Sequence, residues 1–309
     1  MPLLSVFCVI FALSQFALIP AVNSDSPSSL PAALDRALVR SFGNRSGAGV
    51  VAEVSTGRIL AAKNLSVAAR RLALPGSSIK PFVLFALLES GRVRPEEPFV
   101  CPYKLEISGR RMDCTHPENT GPLYPASALA WSCNNFFAHF APRLTPEELA
   151  RALARWGFAS ATHLAAGEAA GEIIPARAPG ELQLQALGVH GIHVTPLELL
   201  QAYRRLALRR RDPAAYGRSL GVVFAGLEAS AAYGMSAAAR TEGLSEAGKT
   251  GTSLADEGNW SHGWFAGYAP ADAPEIVLVV FIEKGRGPTD AAGIAHDVFS
   301  AYRDARPRG

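Results

Sequence analysis

Ser77 stands three residues before Lys80, in the run Pro75-Gly76-Ser77-Ser78-Ile79-Lys80-Pro81-Phe82. A serine hydroxyl is a weak nucleophile at neutral pH and needs a base. A lysine one helical turn away lies on the same face. It becomes that base once burial or a neighbouring cation lowers its pKa. Gly76 permits a tight turn into a helix, and Pro81 falls in the first turn, where its missing N–H costs little. Ser77 is thereby expected at a helix mouth, where free backbone N–H groups favour developing negative charge. Alone, the pattern reads equally well as a cap beside a solvated lysine, because S-x-x-K is common by chance.

Two further patterns follow it. Ser132-Cys133-Asn134 puts a hydroxyl and an amide two residues apart on a loop. Ser132 is suited to relay a proton between Lys80 and a leaving group, and Asn134 to accept from the lysine while donating to a substrate carbonyl. Lys249-Thr250-Gly251-Thr252 reads as a strand. Lys249 offers a fixed cation for a substrate carboxylate and a means of lowering the pKa of Lys80. Thr250 and Thr252 add hydroxyls for the same carboxylate. Gly248 and Gly251 mark close approach by a ligand or another backbone. The N–H groups of Ser77 and Thr252 form a candidate oxyanion hole. Each pattern has a bland reading as a cap, loop or edge strand; their fixed order is what carries the chemistry.

The elements that must position these residues follow from periodicity. A helix is expected from near Ser29, with Pro31 in its first turn and Gly43 at its end. Strand-like runs cover 48–54 and 58–62, joined at Ser55-Thr56-Gly57. Residues 77–234 read as mainly helical: one helix over 77–88, one opening at Thr145, and one capped by Thr195 with Pro196 at its first position. Strands return at 247–253, 263–268 and 276–282, the last an unbroken apolar run. A final helix is expected over 290–302. The pattern predicts an α+β fold: an antiparallel five-stranded sheet flanked by N- and C-terminal helices on one face, with a large, mainly helical insertion on the other.

Composition sets limits on partners. The chain has 309 residues, 49% hydrophobic and 18% charged, with a net charge of +3. That charge, without an arginine stripe interleaved with aromatics, argues against nucleic acid. The cluster Arg204, Arg205, Arg209, Arg210 and Arg211 reads as a solvated helix C-terminus complementing the dipole. Residues 3–22 are apolar and end at Val22-Asn23-Ser24, so residues 1–24 are expected to be a signal peptide or an N-terminal anchor, and 25–309 the working domain. Export follows from this. Of four cysteines, Cys8 lies in the leader. Cys101 and Cys114 flank a hairpin turning at Ser108-Gly109; in an oxidising compartment they are expected to pair as a disulfide, the alternative being two buried thiols. No C-x-x-C or H-E-x-x-H spacing occurs, so no metal site and no cofactor is expected. His190 and His193 read as structural or surface residues.

The order S-x-x-K, S-x-N, K-T-G resembles that of penicillin-binding proteins and class A β-lactamases. Further stretches resemble the transpeptidase domain of a penicillin-binding protein over nearly the whole length after the leader. They are Gly49-Val50-Val51 through Leu60, Leu74 through Phe82, Ser132 through Phe137, Val194-Thr195-Pro196-Leu197-Glu198-Leu199, Ala247 through Thr252, and Gly263 through Pro270. The resemblance implies that family's fold, and a catalytic set of Ser77, Lys80, Ser132, Asn134 and Lys249, with Thr250, Gly251 and Thr252 binding substrate. It implies a D,D-transpeptidase acting on D-alanyl-D-alanine stem peptides of peptidoglycan. The alternatives are a D,D-carboxypeptidase, a serine β-lactamase, or a β-lactam-sensing module. Implied partners are stem peptides, β-lactams and cell-wall synthesis proteins, in a periplasmic or other extracytoplasmic location, with membrane contact only through the N-terminal segment. Two departures stand out. The chain leaves no room for the glycosyltransferase or non-catalytic module of larger members. Gly188-Val189-His190-Gly191 differs from the family's usual stretch, so no function is carried onto it.

Overall fold

The computed structural model describes residues 29–306 apart from 213, 215 and 257; the leader expected at 1–24 lies outside the described residues. The chain begins with α1 (Leu30–Phe42), β1 (Gly47–Glu53), β2 (Ile59–Lys63), α2 (Leu65–Arg70), a 3-10 turn over Gly76–Ile79, and α3 (Lys80–Glu89). Two-residue strands β3 (Glu106–Ile107) and β4 (Arg110–Arg111) follow, then α4 (Pro125–Ala130), α5 (Asn134–Phe140) and α6 (Pro146–Arg155). Next come β5 (Glu172–Ile173), α7 (Pro179–Ala186), β6 (Ile192–His193), α8 (Pro196–Arg210) and α9 (Arg218–Ala232). β7 (Ala247–Leu254), β8 (Ser261–Ala269), β9 (Ile276–Ile282) and α10 (Ala292–Ala305) complete the order.

One antiparallel sheet unites the two ends of the chain, in the order β2-β1-β9-β8-β7. Its two faces are readable in β9. Val277, Val279 and Phe281 join the core beneath the helical insertion, whereas Ile276, Leu278, Val280 and Ile282 join the core under α1 and α10. That alternation is the two-residue period of a strand buried on both faces. Leu34, Leu38 and Phe42 of α1 meet Ile294, Val298, Phe299 and Tyr302 of α10 in the second core. Phe82, Val83, Leu199 and Tyr203 sit in the first. The expected layering is therefore the observed one.

Local chemistry explains the helix starts. Thr145 and Thr195 each accept the N–H three residues on, and Glu148 and Glu198 reach back to the threonine N–H groups. These are reciprocal capping boxes, each followed by proline at the first helical position. Ser108 and Gly109 take φ of 49° and 77°, the left-handed pair that closes a two-residue hairpin between β3 and β4.

Three expectations need correction. The single helix over 77–88 is two pieces, a 3-10 turn and then α3, because that turn is held by outside partners described below. The last helix begins after a wide turn over Gly287–Ala291. The arginine cluster is no solvated helix end throughout. Arg204 donates to the carbonyls of Val54 and Ser55, Arg205 to that of Arg155, and Arg210 to Ala271 and the Tyr216 hydroxyl while pairing with Glu228. These side chains clamp α8 to the sheet and its neighbours. Among the described residues no helix is long and apolar enough to cross a membrane.

Candidate active site

The 3-10 turn that carries Ser77 is held on every side. Leu74 O accepts from the Ser253 hydroxyl at 2.6 Å and from Trp264 Nε1 at 3.0 Å. Pro75 O accepts from the Ser78 hydroxyl at 2.7 Å, and Ser78 O from the Tyr203 hydroxyl at 2.8 Å. Gly76 N–H donates to Gly188 O at 2.9 Å. Several of these partners are fully buried, so each bond replaces water that cannot enter. The turn is therefore a rigid mount, and Ser77 alone in its first half is partly open to solvent.

Glycines make the mount possible. Gly76 has φ of 54°, and a Cβ there would lie 2.6 Å from Thr252 O. A Cβ on Gly251 would lie 2.5 Å from Pro75 O. Edge strand β7 thus lies backbone against backbone with the turn that carries Ser77. That is the close approach expected of Gly251, made by protein rather than ligand. Thr250 N–H points outward from the sheet, to Ser236 Oγ at 3.1 Å. By the two-residue period of a strand, the N–H of Thr252 points outward too. It faces the same side as Ser77.

Lys80 is fully buried behind the cleft. Its Nζ donates to Asn134 Oδ1 at 2.6 Å, Ser132 O at 2.8 Å and Ser132 Oγ at 3.2 Å. An ammonium has three protons, and Ser77 is not among these acceptors. Burial brings the Lys80 pKa down to about 8, with Cys114 and Cys133 opposing the fall. As a neutral amine the same group retains two donors and gains a lone pair. Ser132 takes φ of 55°, a left-handed conformation unusual for serine. It precedes Cys133, the N-cap of α5, and Asn134 opens that helix. The other end of the Asn134 amide is fixed, because Nδ2 donates to Met112 O at 3.0 Å and Asp113 O at 3.3 Å.

Lys249 is also fully buried, and its Nζ donates to Thr250 O at 3.0 Å. Burial, and then the charge of Lys80, push its pKa well below the ordinary lysine value. It does not line the cleft, contrary to the expectation of direct carboxylate contact. A cavity of about 520 Å³ is lined by Ser77, Ser132, Asn134, Thr250, Gly251 and Thr252, together with Thr115, Met235, Arg286, Pro288 and Thr289. Thr250 Oγ1 donates to Met235 O, so its proton is engaged. Thr252 Oγ1 accepts from Gly287 N–H and keeps its own proton for the cleft.

Sequence reasoning missed Arg286, an exposed cation on the cleft wall. No pattern marked it, since it lies after β9 and reaches the site only through the wide turn at Gly287–Ala291. Gly188 was also missed. At φ of 73°, a Cβ there would lie 2.1 Å from Gly76 O, so the stretch left without a role supports the Ser77 turn. The Cys101–Cys114 disulfide expected from the sequence is not formed. Their sulfurs are 3.6 Å apart, Cys133 lies 3.7 Å from Cys114, and all three are free. The absence of close ligand spacing had argued against a metal, yet folding gathers Cys101, Cys114, His116 and Cys133 into one cluster.

Comparison with known proteins places this fold in a class. A family model described as penicillin binding protein transpeptidase domain matches residues 47–216 and 222–301. The chain belongs to that family. It is 26% identical over 271 residues to stage V sporulation protein D of Bacillus subtilis (strain 168), spanning 75% of this chain and 42% of that protein. The chain thus covers well under half the length of that curated relative. Among solved structures, Pseudomonas aeruginosa PBP2 in complex with WCK 5153 superposes with a TM-score of 0.75 at 24% identity, over 88% of this chain and 74% of that one. The transpeptidase domain of Burkholderia pseudomallei penicillin-binding protein 3 superposes with a TM-score of 0.77 at 22% identity, over 90% and 93% of the two chains. At those identities the likeness is one of fold.

Proposed function

We propose that this chain is a serine D,D-transpeptidase that forms an acyl-enzyme at Ser77 with the D-alanyl-D-alanine end of peptidoglycan stem peptides. One observation carries the reading: Ser77, Ser132, Asn134 and Thr252 share a cleft, with a buried, pKa-lowered Lys80 bonded to two of them from behind. Neutral Lys80 takes the Ser77 proton as Oγ bonds to the substrate carbonyl carbon. The carbonyl oxygen becomes an oxyanion between the N–H groups of Ser77 and Thr252. As the C–N bond breaks, the proton passes from Lys80 through Ser132 to the departing D-alanine amine. A stem-peptide amine then attacks the ester, and Ser77 recovers its proton.

The substrate carboxylate is held by the Thr252 hydroxyl and the Arg286 guanidinium, a charge-assisted pair. The charge of Lys80 in turn favours the neutral form of the buried Lys249. β-Lactams, which present the same acyl group in a ring, acylate the same serine. The cleft wall contains no carboxylate among the described residues. It thus lacks an acidic base for water, which favours amine acceptors and a long-lived ester over β-lactam turnover. The substrate places the enzyme outside the cytoplasmic membrane, with cell-wall synthesis proteins as partners and residues 1–24 as its leader or anchor.

Labelling with a fluorescent penicillin tests the proposal. Wild-type protein is expected to label stoichiometrically and Ser77→Ala not at all; equal labelling of the two would sink it. Rapid multiple turnover of a chromogenic cephalosporin would instead identify a β-lactamase.

A further inference from the structure

Cys101, Cys114, His116 and Cys133 each present a ligand atom, all within 4.8 Å of one another. They come from three places: the two ends of the segment that holds the β3–β4 hairpin, and the middle of the Ser132-Cys133-Asn134 motif. The sulfur separations are informative. Cys101 and Cys114 are 3.6 Å apart, and Cys114 and Cys133 are 3.7 Å apart. A disulfide needs about 2.05 Å. Thiolates on a tetrahedral zinc ion, each at about 2.3 Å from the metal, stand about 3.8 Å from one another. The observed spacing matches that of thiolates around one ion.

The surroundings of each ligand agree. His116 is buried, its Nδ1 lies 3.0 Å from Pro117 O, and its Nε2 is buried with no hydrogen-bond partner. An Nδ1–H donated to a carbonyl leaves the Nε2 lone pair for a metal, the usual outer-shell arrangement of a metal-bound histidine. Every sulfur accepts an N–H: Cys101 from Tyr103 at 3.3 Å, Cys133 from Phe136 at 3.4 Å, and Cys114 from the Asn135 backbone and side chain at 3.5 and 3.4 Å. Donors aimed at sulfur stabilise thiolates.

We propose that these four residues bind a structural zinc ion that positions the Asn134 amide against Lys80. Three thiols release their protons and, with neutral His116, bond to one Zn²⁺, giving a complex of net charge −1. Four protein ligands close the shell, so the ion takes no part in acyl transfer. Its effect is geometric. Met112 O and Asp113 O, immediately before Cys114, accept both protons of Asn134 Nδ2 and so aim Oδ1 at Lys80. Zinc ties this strip to Cys133, the residue between Ser132 and Asn134.

The metal content of protein purified without chelators from zinc-supplemented cells tests the site directly. One zinc per chain is expected, with Cys101, Cys114 and Cys133 reacting slowly with a thiol reagent until a chelator is added. Cobalt(II) substitution is expected to give thiolate charge-transfer absorption and the d–d bands of a tetrahedral site. His116→Ala and Cys114→Ser are expected to lose the metal, whereas Ser77→Ala retains it. Metal content therefore stays informative even if Ser77 is never acylated. Less than about a tenth of an equivalent of zinc, with either a Cys–Cys cross-link or three rapidly reactive thiols, would overturn the site. The positioning role rests on the acyl-transfer reading above. Chelation of wild-type protein is expected to slow penicillin labelling roughly tenfold to a hundredfold, with recovery on adding zinc. Asn134→Ala, already slow, is expected to respond little to either treatment. An unchanged wild-type rate after verified metal loss would overturn the positioning role alone.

Discussion

On the proposed mechanism Lys80 has to be neutral to accept the Ser77 proton, and its burial lowers the pH at which that happens. With its pKa brought down to about 8, the neutral fraction grows as pH rises through that value. The second-order rate of penicillin acylation, followed between about pH 6 and 10, is expected to climb along a limb with its midpoint near 8. A flat profile across that range would remove Lys80 as the base. Arg286 lines the same cleft. Arg286→Ala is expected to lower kcat/KM for a carboxylate-bearing substrate about tenfold, ~1.4 kcal/mol. A substrate amidated at that carboxylate is expected to show little change between the two proteins.

The functional unit at the next scale is the turn that joins α2 to α3, held by β7, β8, α8 and the loop at Gly188. Its stiffness comes from donors on separate elements: Ser253 on β7, Trp264 on β8 and Tyr203 on α8. Gly188 completes the ring through its carbonyl. Gly188→Ala places a Cβ 2.1 Å from Gly76 O and forces alanine to φ of 73°. The expected cost is about 2–4 kcal/mol, from backbone strain plus displacement of the turn. Thermal unfolding is expected roughly 5 to 10 °C lower, with acylation slowed more than a surface variant of equal stability.

Across the whole molecule, the sheet ties the N-terminal strands β1 and β2 to the C-terminal strands β7, β8 and β9. The helical insertion between them supplies Lys80, Ser132 and Asn134; the sheet edge supplies Thr250 and Thr252. Neither half holds a complete site. Truncation after residue 291 removes α10 and uncovers Leu278, Val280 and Phe265 on one face of the sheet. Exposing such a patch is expected to yield insoluble protein with no penicillin labelling; soluble, labelling protein would show that the helix is dispensable.

Much of this was legible in the residues themselves. The apolar run of β9, the strand-like run over 48–54, the threonine caps at 145 and 195 and the Ser108-Gly109 turn are local signals, and local physics was enough to read them. The order of Ser77, Ser132 and Lys249 marked the site because each motif constrains its own few residues. Other features depend on partners far away in the chain. The 3-10 geometry at Ser77 is imposed by Gly188, Tyr203, Ser253 and Trp264, so intrinsic propensity read it as a simple helix. Arg204 and Arg210 looked solvated because nothing in sequence shows the carbonyls that receive them. The cysteines at 101 and 114 suggested a pair, since spacing along a chain reveals two neighbours but hides a third. Sequence alone determined the reactive groups and the alternating faces that bury them. Only the tertiary structure decided that Lys249 is sealed from the cleft, that Arg286 faces it, and that Cys133 and His116 join Cys101 and Cys114, because burial and ligand geometry are relations among distant residues.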